Sequence, residues 1–418
     1  MTARTHFNNV TLLDGLNPAQ ENMSVVVQDD QIISVSSQPE KVNADDVVFD
    51  LTGNSLVPGM YSCHFHASYN NVSTPLGLDL EHPPTLLTLI AARNLRSLLM
   101  AGYTGAVGAG GSYFIDVTLR NAVNMGLIPG PRLMACGGAV VTTGDSGDGY
   151  PSWWELGVKG VLGRTCDGAD EFRRTVREEI KNGVDIVKLF VTGGHGQSLS
   201  GERLSMTQAE LTAAIEAAHS RGKKIRGHIA GKEGILAAAR TGIDIIDHAD
   251  GIDQECIDVM VEHGTTLVPS VYQAWNLIDS ERQGDSTYSG ALPDKEESFA
   301  AHRRWLPVAE AAGIPILLGD DFGLGWMPHG TYGREFLALQ ELGIDPLTII
   351  KWATYNGAAF TGQSEQLGSI EEDKLADLII VKGNPGEDIS ELANTDNILA
   401  VMKNGYFEKC ELQQNASK

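Results

Sequence analysis

The chain has 418 residues, and 42% of them are hydrophobic, which is enough to bury a large core. Its formal net charge of −23 disfavours a nucleic-acid-binding protein, because such a protein needs a cationic surface. The same charge disfavours attachment to anionic membranes.

The five cysteines are odd in number and include no CxxC pair, so neither a disulfide framework nor a structural zinc site is expected. No apolar run approaches about 18 residues, so no membrane-spanning segment is expected. The first residues contain no apolar stretch of the kind found in signal peptides. We therefore expect reduced thiols and a cytoplasmic protein.

Both ends of the chain are predicted to be β-rich. In the first part, 1–57, short strands at 23–27 and 31–35 flank an Asp-Asp turn, which indicates a hairpin. In the last part, 365–418, further strand-like runs lie at 376–381 and 398–402. We expect 1–57 and 365–418 to meet in one small β-sandwich domain.

The central part, 58–364, alternates short β-branched runs with amphipathic helical segments. The predicted strands are 55–64, 105–108, 132–136, 186–191, 225–228, 245–248, 266–271 and 314–318. Eight strands with helical crossovers predict an α/β fold, a parallel (β/α)8 TIM-like barrel. The stretch 272–304 exceeds an ordinary loop, and we expect it to cap the site.

Five predicted strands end in polar side chains, where a barrel strand should be apolar. These side chains belong to His64, His66, Lys188, His228, His248 and the pair Asp320-Asp321. Residues at the carboxyl ends of barrel strands face the active-site mouth, and strand alternation puts the first two histidines on one face. A lone histidine is more often a hydrogen-bonded core residue, and a lone lysine is more often ion-paired. Their conjunction at one end of the barrel predicts a site for two divalent metal ions.

The chemistry of these side chains suits a pair of metal ions. Neutral imidazoles and carboxylates are good zinc ligands, so zinc is the expected metal. A buried lysine loses its proton easily, and the neutral amine of Lys188 can then take up carbon dioxide to form a carbamate. The two carbamate oxygens can bridge two metal ions. The two ions carry more positive charge than their anionic ligands neutralise, and this excess charge would polarise a carbonyl group.

Motifs over nearly the whole chain resemble those of the amidohydrolase superfamily, in particular its imidazolonepropionase-like and Xaa-Pro dipeptidase-like group. The segment 56–66, with its PGM and HFH, resembles the family pattern PG-[LM]-[IV]-D-x-H-x-H. The segment 242–248 resembles G-[VA]-D-x-I-E-H, and 318–321 resembles x-G-T-D. Further matches of the same kind lie at 130–132, 183–188, 192–194, 353–359, 368–370 and 374–377.

The resemblance implies how the polar side chains are used. It implies that His64, His66 and Asp321 bind the more buried metal ion, and that His228 and His248 bind the other. A hydroxide bridging the two metal ions would be the nucleophile. Asp321 would carry its proton to the leaving group.

The resemblance also implies that carbamylated Lys188 bridges the two metal ions. Mononuclear members of the family usually lack this lysine, so Lys188 favours the binuclear type. Many relatives are homo-oligomers, and we expect a homo-oligomer here.

Departures from the family pattern fall around the expected metal ligands and spare the ligands themselves. Ser62 stands where the family usually has Asp, and Asp320 stands where Thr is usual. Ser146 replaces a substrate-facing His, and Ile229 follows His228 where several carboxylate-binding members place Tyr. These changes weaken any transfer of dipeptidase specificity.

Four residues are candidates for contact with a substrate: Ser146, His195, Tyr272 and His329. His195 follows the fourth strand and could replace the histidine that is missing at Ser146. Tyr272 follows the seventh strand, and His329 follows the eighth in a Pro-His-Gly sequence. Each has an ordinary alternative, as a loop histidine or a packed aromatic ring.

These features predict a metal-dependent amidohydrolase that acts on a small-molecule substrate. The preferred reaction is hydrolysis of an amide or peptide-like C–N bond, as in an N-acyl amino acid or a dipeptide. The same site would also serve a lactone, a carbamate or a cyclic amide, and the residues do not separate these reactions. A catalytically inactive barrel acting as an assembly module is disfavoured, because every ligand position is filled.

Overall fold

A computed structural model describes residues 3–72, 77–148, 153, 161–193, 203–284 and 292–413. The strands are β1 (Arg4–Leu12), β2 (Gln20–Gln28), β3 (Gln31–Ser36), β4 (Val47–Asp50), β5 (Asn54–Pro58), β6 (Met60–Phe65), β7 (Tyr103–Gly108), β8 (Arg132–Met134), β9 (Ala139–Val141), β10 (Gly163–Thr165), β11 (Ile186–Phe190), β12 (Lys224–Ile229), β13 (Ile245–His248), β14 (Thr266–Val268), β15 (Leu378–Lys382), β16 (Ile398–Lys403) and β17 (Tyr406–Cys410).

The helices are α1 (Gly77–Leu80), α2 (Pro84–Met100), α3 (Ile115–Asn124), α4 (Ala169–Lys181), α5 (Gln208–His219), α6 (Lys232–Thr241), α7 (Gln254–His263), α8 (Tyr272–Arg282), α9 (Leu292–Ala311), α10 (Arg334–Glu341), α11 (Pro346–Ala353), α12 (Tyr355–Phe360) and α13 (Ser390–Ala393). None of these helices, within the described ranges, combines the length and apolar character that a membrane-spanning segment requires.

The two ends of the chain meet in one eight-stranded sheet. Its strands run in the order β17-β16-β15-β5-β1-β2-β3, and β4 pairs with β1. β15, from the C-terminal part, lies antiparallel to β5, from the N-terminal part, with Ile380 opposite Leu56. Strands from both ends of the chain thus pair in this sheet, while their division into a separate β-sandwich domain stays a prediction.

Aromatic rings fill the buried side of the terminal sheet. Phe7 stacks on Phe49 with ring centroids 5.8 Å apart, and Phe407 packs edge-on against Phe49 at the same separation. The cluster around them is separate from the larger core that fills the central part of the chain. Because β1, β4 and β17 each contribute one ring, this packing ties the first 50 residues to the last ones.

The central part alternates parallel strands with helices. Six strands form one sheet, in the order β10-β9-β11-β12-β13-β14, and β6, β7 and β8 form another. Every pairing within these two sheets is parallel. The chain is thus an α/β protein with parallel sheets, as its alternating pattern predicted.

The predicted first and eighth strands need correction. Residues 55–64 are not one strand, because the chain breaks at Gly59 between β5, in the terminal sheet, and β6, in the parallel sheet. A Cβ at Gly59 would lie 2.1 Å from Thr104 Oγ1, so the close approach there requires glycine. In the eighth segment, 314–318, only an isolated bridge joins Ile316 to Leu267, although Cys63 also donates its N–H to Leu318 O at 2.7 Å.

The third predicted strand is shorter than expected and is followed by an extra one. Ladder pairing covers Arg132–Met134 rather than 132–136, and β9 then pairs with β11 in the six-stranded sheet. The carbonyl of Ala135 accepts hydrogen bonds from the N–H groups of Asp185 and Ile186. A glycine pair at 137–138 accompanies this change of partner.

We predict that Phe49→Ala destabilises the terminal sheet. Removing a buried ring that contacts two others should lower the free energy of unfolding by about 3–5 kcal/mol. Tyr406→Ala is the matched control, because that ring is 72% exposed and its loss should change stability by less than about 0.5 kcal/mol. Equal midpoints of urea denaturation for the two variants would contradict this account of the sheet.

Candidate metal centre

Three of the predicted ligands converge in a buried triad. His64 and His66 lie at the end of β6, and Asp321 follows the eighth segment. His64 Nε2 and His66 Nε2 lie 3.4 and 3.0 Å from Asp321 Oδ1, and one ligand atom from each residue falls within 4.8 Å of the others. The triad therefore has the donor atoms and the spacing of a site for a divalent metal ion.

Each histidine of the triad is oriented through its other ring nitrogen. His66 Nδ1 donates to Gly110 O at 2.7 Å, and His64 Nδ1 is hydrogen-bonded to Ser270 Oγ at 2.9 Å. Tyr69 also stacks on the His66 ring, with centroids 4.0 Å apart. These contacts leave both Nε2 atoms facing Asp321, as metal-binding histidines require.

Burial favours the neutral form of His64. It lowers the pKa of this imidazole well below its ordinary value, and the charges of Lys188 and Arg226 act in the same direction. Since only a neutral imidazole has a lone pair to offer, this environment suits a metal ligand.

The other two predicted histidines lie beside the triad. The His228 and His248 rings, at the ends of β12 and β13, have centroids 4.5 Å apart, and the His248 ring lies 5.1 Å from that of His64. Phe190 stacks on His228 at 4.9 Å. The structure thus brings all four predicted histidines into one row at the carboxyl ends of the parallel strands.

The backbone at two of these strand ends is left-handed. His248 has φ of 74° and Asp321 has φ of 59°, a region that non-glycine residues rarely adopt. The Asp321 N–H donates to His64 O at 3.0 Å, which ties the eighth segment to β6. Such conformations cluster at functional sites because surrounding contacts must hold them.

Lys188 lies beneath the histidines and is paired with a carboxylate that the sequence analysis did not single out. Its Nζ donates to Asp247 Oδ2 at 2.5 Å, and both side chains are almost completely buried. Burial lowers the pKa of Lys188, although the charge of Asp247 opposes this. The amine is therefore engaged with Asp247, and its carbamylation stays a prediction.

Arg226 completes this buried ion group from β12. Its Nε donates to Asp247 Oδ2 at 3.0 Å, and its terminal nitrogen Nη2 is paired with Asp247 Oδ1. Nη1 donates to Cys63 O and to Gly108 O, each at 2.9 Å, on β6 and β7. The Asp247–Arg226–Lys188 group thus links five parallel strands directly below the metal ligands.

The two neighbouring aspartates face different surroundings. Asp320 is buried, accepts a hydrogen bond from Ser62 Oγ at 3.1 Å, and is not part of the triad. Burial, with a contribution from Asp321, raises the pKa of Asp320 to about 7. Ser62 and Asp320, which looked like two separate departures from the family pattern, are therefore one hydrogen-bonded pair, with Ser62 on β6 and Asp320 after the eighth segment.

The positions of three candidate substrate-contact residues do not test that role. His195 lies outside the described residues, and Ser146 is buried. Tyr272 is buried with its hydroxyl 3.3 Å from Thr331 Oγ1. Their contacts with a substrate stay predictions.

His329 is hydrogen-bonded to the backbone of the predicted ligand His66. Its Nε2 donates to His66 O at 3.1 Å, and its Nδ1 lies 3.1 Å from the Tyr332 hydroxyl. Burial lowers the pKa of His329 to about 3. The ring is therefore neutral and bound to protein groups on both sides, while its contact with a substrate stays a prediction.

Sequence reasoning missed the residues that surround the ligands from 270 onward. The stretch 272–304, predicted only as a cap, contains α8 and the start of α9. Gln273, Lys295, Ser298 and His302 of these helices are buried polar residues. The spacing of the last three, with intervals of three and four, was a readable sign that they share one helix face.

A sequence profile of the Amidohydrolase family matches residues 55–407, so the chain belongs to this family. Ochratoxinase of Aspergillus niger is 30% identical over 376 residues, which cover 85% of this chain and 75% of that protein. An imidazolonepropionase of Aeromonas hydrophila is 24% identical over 213 residues, which cover 49% of this chain and 46% of that enzyme.

A solved structure shows the same architecture. The crystal structure of a Xaa-Pro dipeptidase with bound methionine in the active site matches with a TM-score of 0.85 at 29% identity, over 97% of this chain and 100% of that one. The predicted resemblance to imidazolonepropionases and Xaa-Pro dipeptidases is therefore confirmed. The chain is an enzyme, a hydrolase of the amidohydrolase family.

We predict that Arg226→Met strongly destabilises the central part. Loss of the guanidinium leaves a buried carboxylate incompletely paired and should lower the free energy of unfolding by about 3–5 kcal/mol. As a control, Lys232→Met removes a lysine that is paired with Asp253 and Glu255 at the surface, and it should leave the unfolding transition nearly unchanged. Chemical denaturation of both variants checks this, and a stable Arg226→Met protein would disprove the structural importance of the ion group.

Proposed function

We propose that this enzyme is a binuclear metal-dependent hydrolase that cleaves an amide or peptide-like C–N bond in a small molecule. An N-acyl amino acid or a dipeptide is the substrate class that we favour. The observation that carries the proposal is the buried triad of His64, His66 and Asp321, with His228 and His248 in line beside it. The likeness to a Xaa-Pro dipeptidase that holds methionine supports a substrate with an amino-acid part.

We also propose that the parallel strands close into a (β/α)8 barrel over 58–364, and that 1–57 and 365–418 form a β-sandwich domain. The hydrogen bonds of the eighth segment support closure, because Leu317 N–H donates to Leu267 O and Leu318 O accepts from Cys63 N–H. The separate core cluster of the terminal strands supports the domain division. On this proposal the metal ligands lie at the carboxyl end of the barrel, where such enzymes place their chemistry.

The residues present fit two zinc ions. His64, His66 and Asp321 would hold one ion, His228 and His248 the other, and Lys188 as a carbamate would join them. Bound divalent ions polarise the scissile carbonyl group and lower the pKa of the attacking water. Carbamylation requires the hydrogen bond between Lys188 and Asp247 to break. Arg226 would then still pair with the Asp247 carboxylate.

In the proposed reaction Asp321 moves one proton. Its carboxylate accepts the proton of the attacking water as the new C–O bond forms, and then donates it to the leaving nitrogen as the C–N bond breaks. The products are a carboxylic acid and an amine, so one water molecule is consumed and atoms balance. Ser270 and Gly110 hold the two neighbouring imidazoles in place during these steps.

We predict that the protein binds close to two zinc ions per chain when it is prepared with zinc and bicarbonate. Lys188→Ala should lose both ions and most activity, because it removes the bridging group. Metal analysis after gel filtration measures the stoichiometry. A fully active protein with one ion per chain would contradict the binuclear proposal.

Variants of the two adjacent aspartates test which of them transfers the proton: Asp321, or Asp320 of the pair with Ser62. We predict that Asp321→Asn retains much of its metal but loses roughly 10²–10⁴-fold in kcat, the range for removal of a general acid–base group. Asp320→Thr should lower kcat only mildly, because the Asp320 side chain is hydrogen-bonded to Ser62 and is not a predicted metal ligand. Steady-state kinetics and metal analysis of both variants test this assignment. If Asp320→Thr is inactive while Asp321→Asn is active, the proton-transfer role belongs to Asp320.

We propose that the enzyme is a cytoplasmic homo-oligomer. Exposed apolar side chains on α2 and just after α3 support a contact between copies, since Leu89, Met125 and Leu127 are each more than two-thirds exposed. We predict that analytical sedimentation at micromolar concentration detects species larger than the 44.8 kDa chain. A single 44.8 kDa species would contradict this prediction.

A further inference from the structure

One face of α9 lies against the segment that follows the ligand His248. His302 Nε2 donates to His248 O at 2.8 Å, and one turn earlier Ser298 Oγ donates to Asp250 Oδ1 at 2.5 Å. Lys295 is one further turn toward the start of the helix and lies on the same face. The row therefore leads away from the end of β13 along one face of α9, with Lys295 at its far end.

Lys295 is a buried cation with few protein partners. The residue is 7% exposed, and in the described part of the chain its Nζ lies 3.5 Å from Gln273 Oε1. No carboxylate of the described residues lies within ion-pairing distance of its Nζ. Because an ammonium group has three protons to donate, this environment leaves it capacity to bind an anion.

Two observations place Lys295 on the side of the metal centre. Gln273, its neighbour on α8, follows Ser270, the residue that orients His64, by three positions. Burial lowers the pKa of Lys295, while the charges of Asp250, Asp294 and Asp321 oppose this, so the ligand Asp321 lies within electrostatic reach of its ammonium group.

The two buried cations below the predicted ligands are already paired. Lys188 and Arg226 both pair with Asp247. Ile229, directly after the ligand His228, offers no hydrogen bond to an anionic group. Lys295, by contrast, is a buried cation whose hydrogen-bond contact in the described part of the chain is with a neutral amide, so it can serve as the counter-charge of a substrate carboxylate.

We propose that Lys295 binds the carboxylate of the substrate's amino-acid part and so selects substrates that carry a free carboxylate beside the scissile amide. This inference rests on the proposed function and narrows its substrate class. A charge-assisted hydrogen bond in a buried site is stronger than a neutral one, and its loss leaves the anion without a partner. Neutral lactones and esters would gain nothing from this contact.

Pairs of substrates that differ only in the carboxylate test the inference. The zinc-loaded enzyme is assayed with N-acetyl-L-amino acids and with the matching N-acetyl amino alcohols, in which a hydroxymethyl group replaces the carboxylate. The wild type should prefer the carboxylate partner by roughly 10- to 100-fold in kcat/KM, and Lys295→Met should remove that preference, mainly through KM. Lys295→Arg should keep part of it, because the charge remains.

A matched control and a binding measurement make every outcome decisive. Lys382→Met, at an exposed lysine of the terminal sheet, should leave the preference unchanged. Calorimetric titration of Asp321→Asn with the same compounds measures binding without turnover. If the carboxylates bind to Asp321→Asn, lose that binding when Lys295→Met is added, and yet are not hydrolysed by the wild type, the carboxylate contact of Lys295 is supported and the proposed reaction is wrong. If Lys295→Met weakens both partners equally, or if no carboxylate binds, the inference is wrong.

Discussion

The ionised carboxylate of Asp247 lies at the centre of the parallel strands, between Lys188 on β11 and Arg226 on β12. Through Arg226 it also reaches the carbonyl groups of Cys63 and Gly108 on β6 and β7. Three buried charges are tolerable only if each is paired and hydrogen-bonded, so their positions are strongly coupled. The histidines lie at the strand ends directly above these charges. The paired charges therefore also hold the histidines in fixed positions relative to one another.

The same carboxylate links the structure to the proposed chemistry. While Lys188 donates to Asp247 it cannot serve as a bridging carbamate. The proposed carbamylation would need release from Asp247, loss of two protons and addition of carbon dioxide, and it would replace a cation by an anion close to the predicted metal ligands. Arg226 keeps Asp247 paired through this change, because it contacts both carboxylate oxygens. Metal loading on this account is an exchange of partners within a rigid group rather than a rearrangement of strands.

Local patterns predicted the alternation of strands and helices and the row of histidines, because strand ends and side-chain alternation are properties of neighbouring residues. Contacts between distant residues were less visible. Ser62 and Asp320 form their pair across 258 positions, and Arg226 and Asp247 looked like ordinary strand residues. The break at Gly59 depends on the nearby Thr104 side chain, which a single continuous apolar run does not reveal.

Anomalous diffraction at the zinc absorption edge, from crystals grown with zinc and bicarbonate, would locate the metal ions. We expect two zinc peaks, one among His64, His66 and Asp321 and a second beside His228 and His248, with extra density at the end of Lys188. A single peak, with that lysine unmodified and still paired to its buried carboxylate, would contradict the binuclear centre.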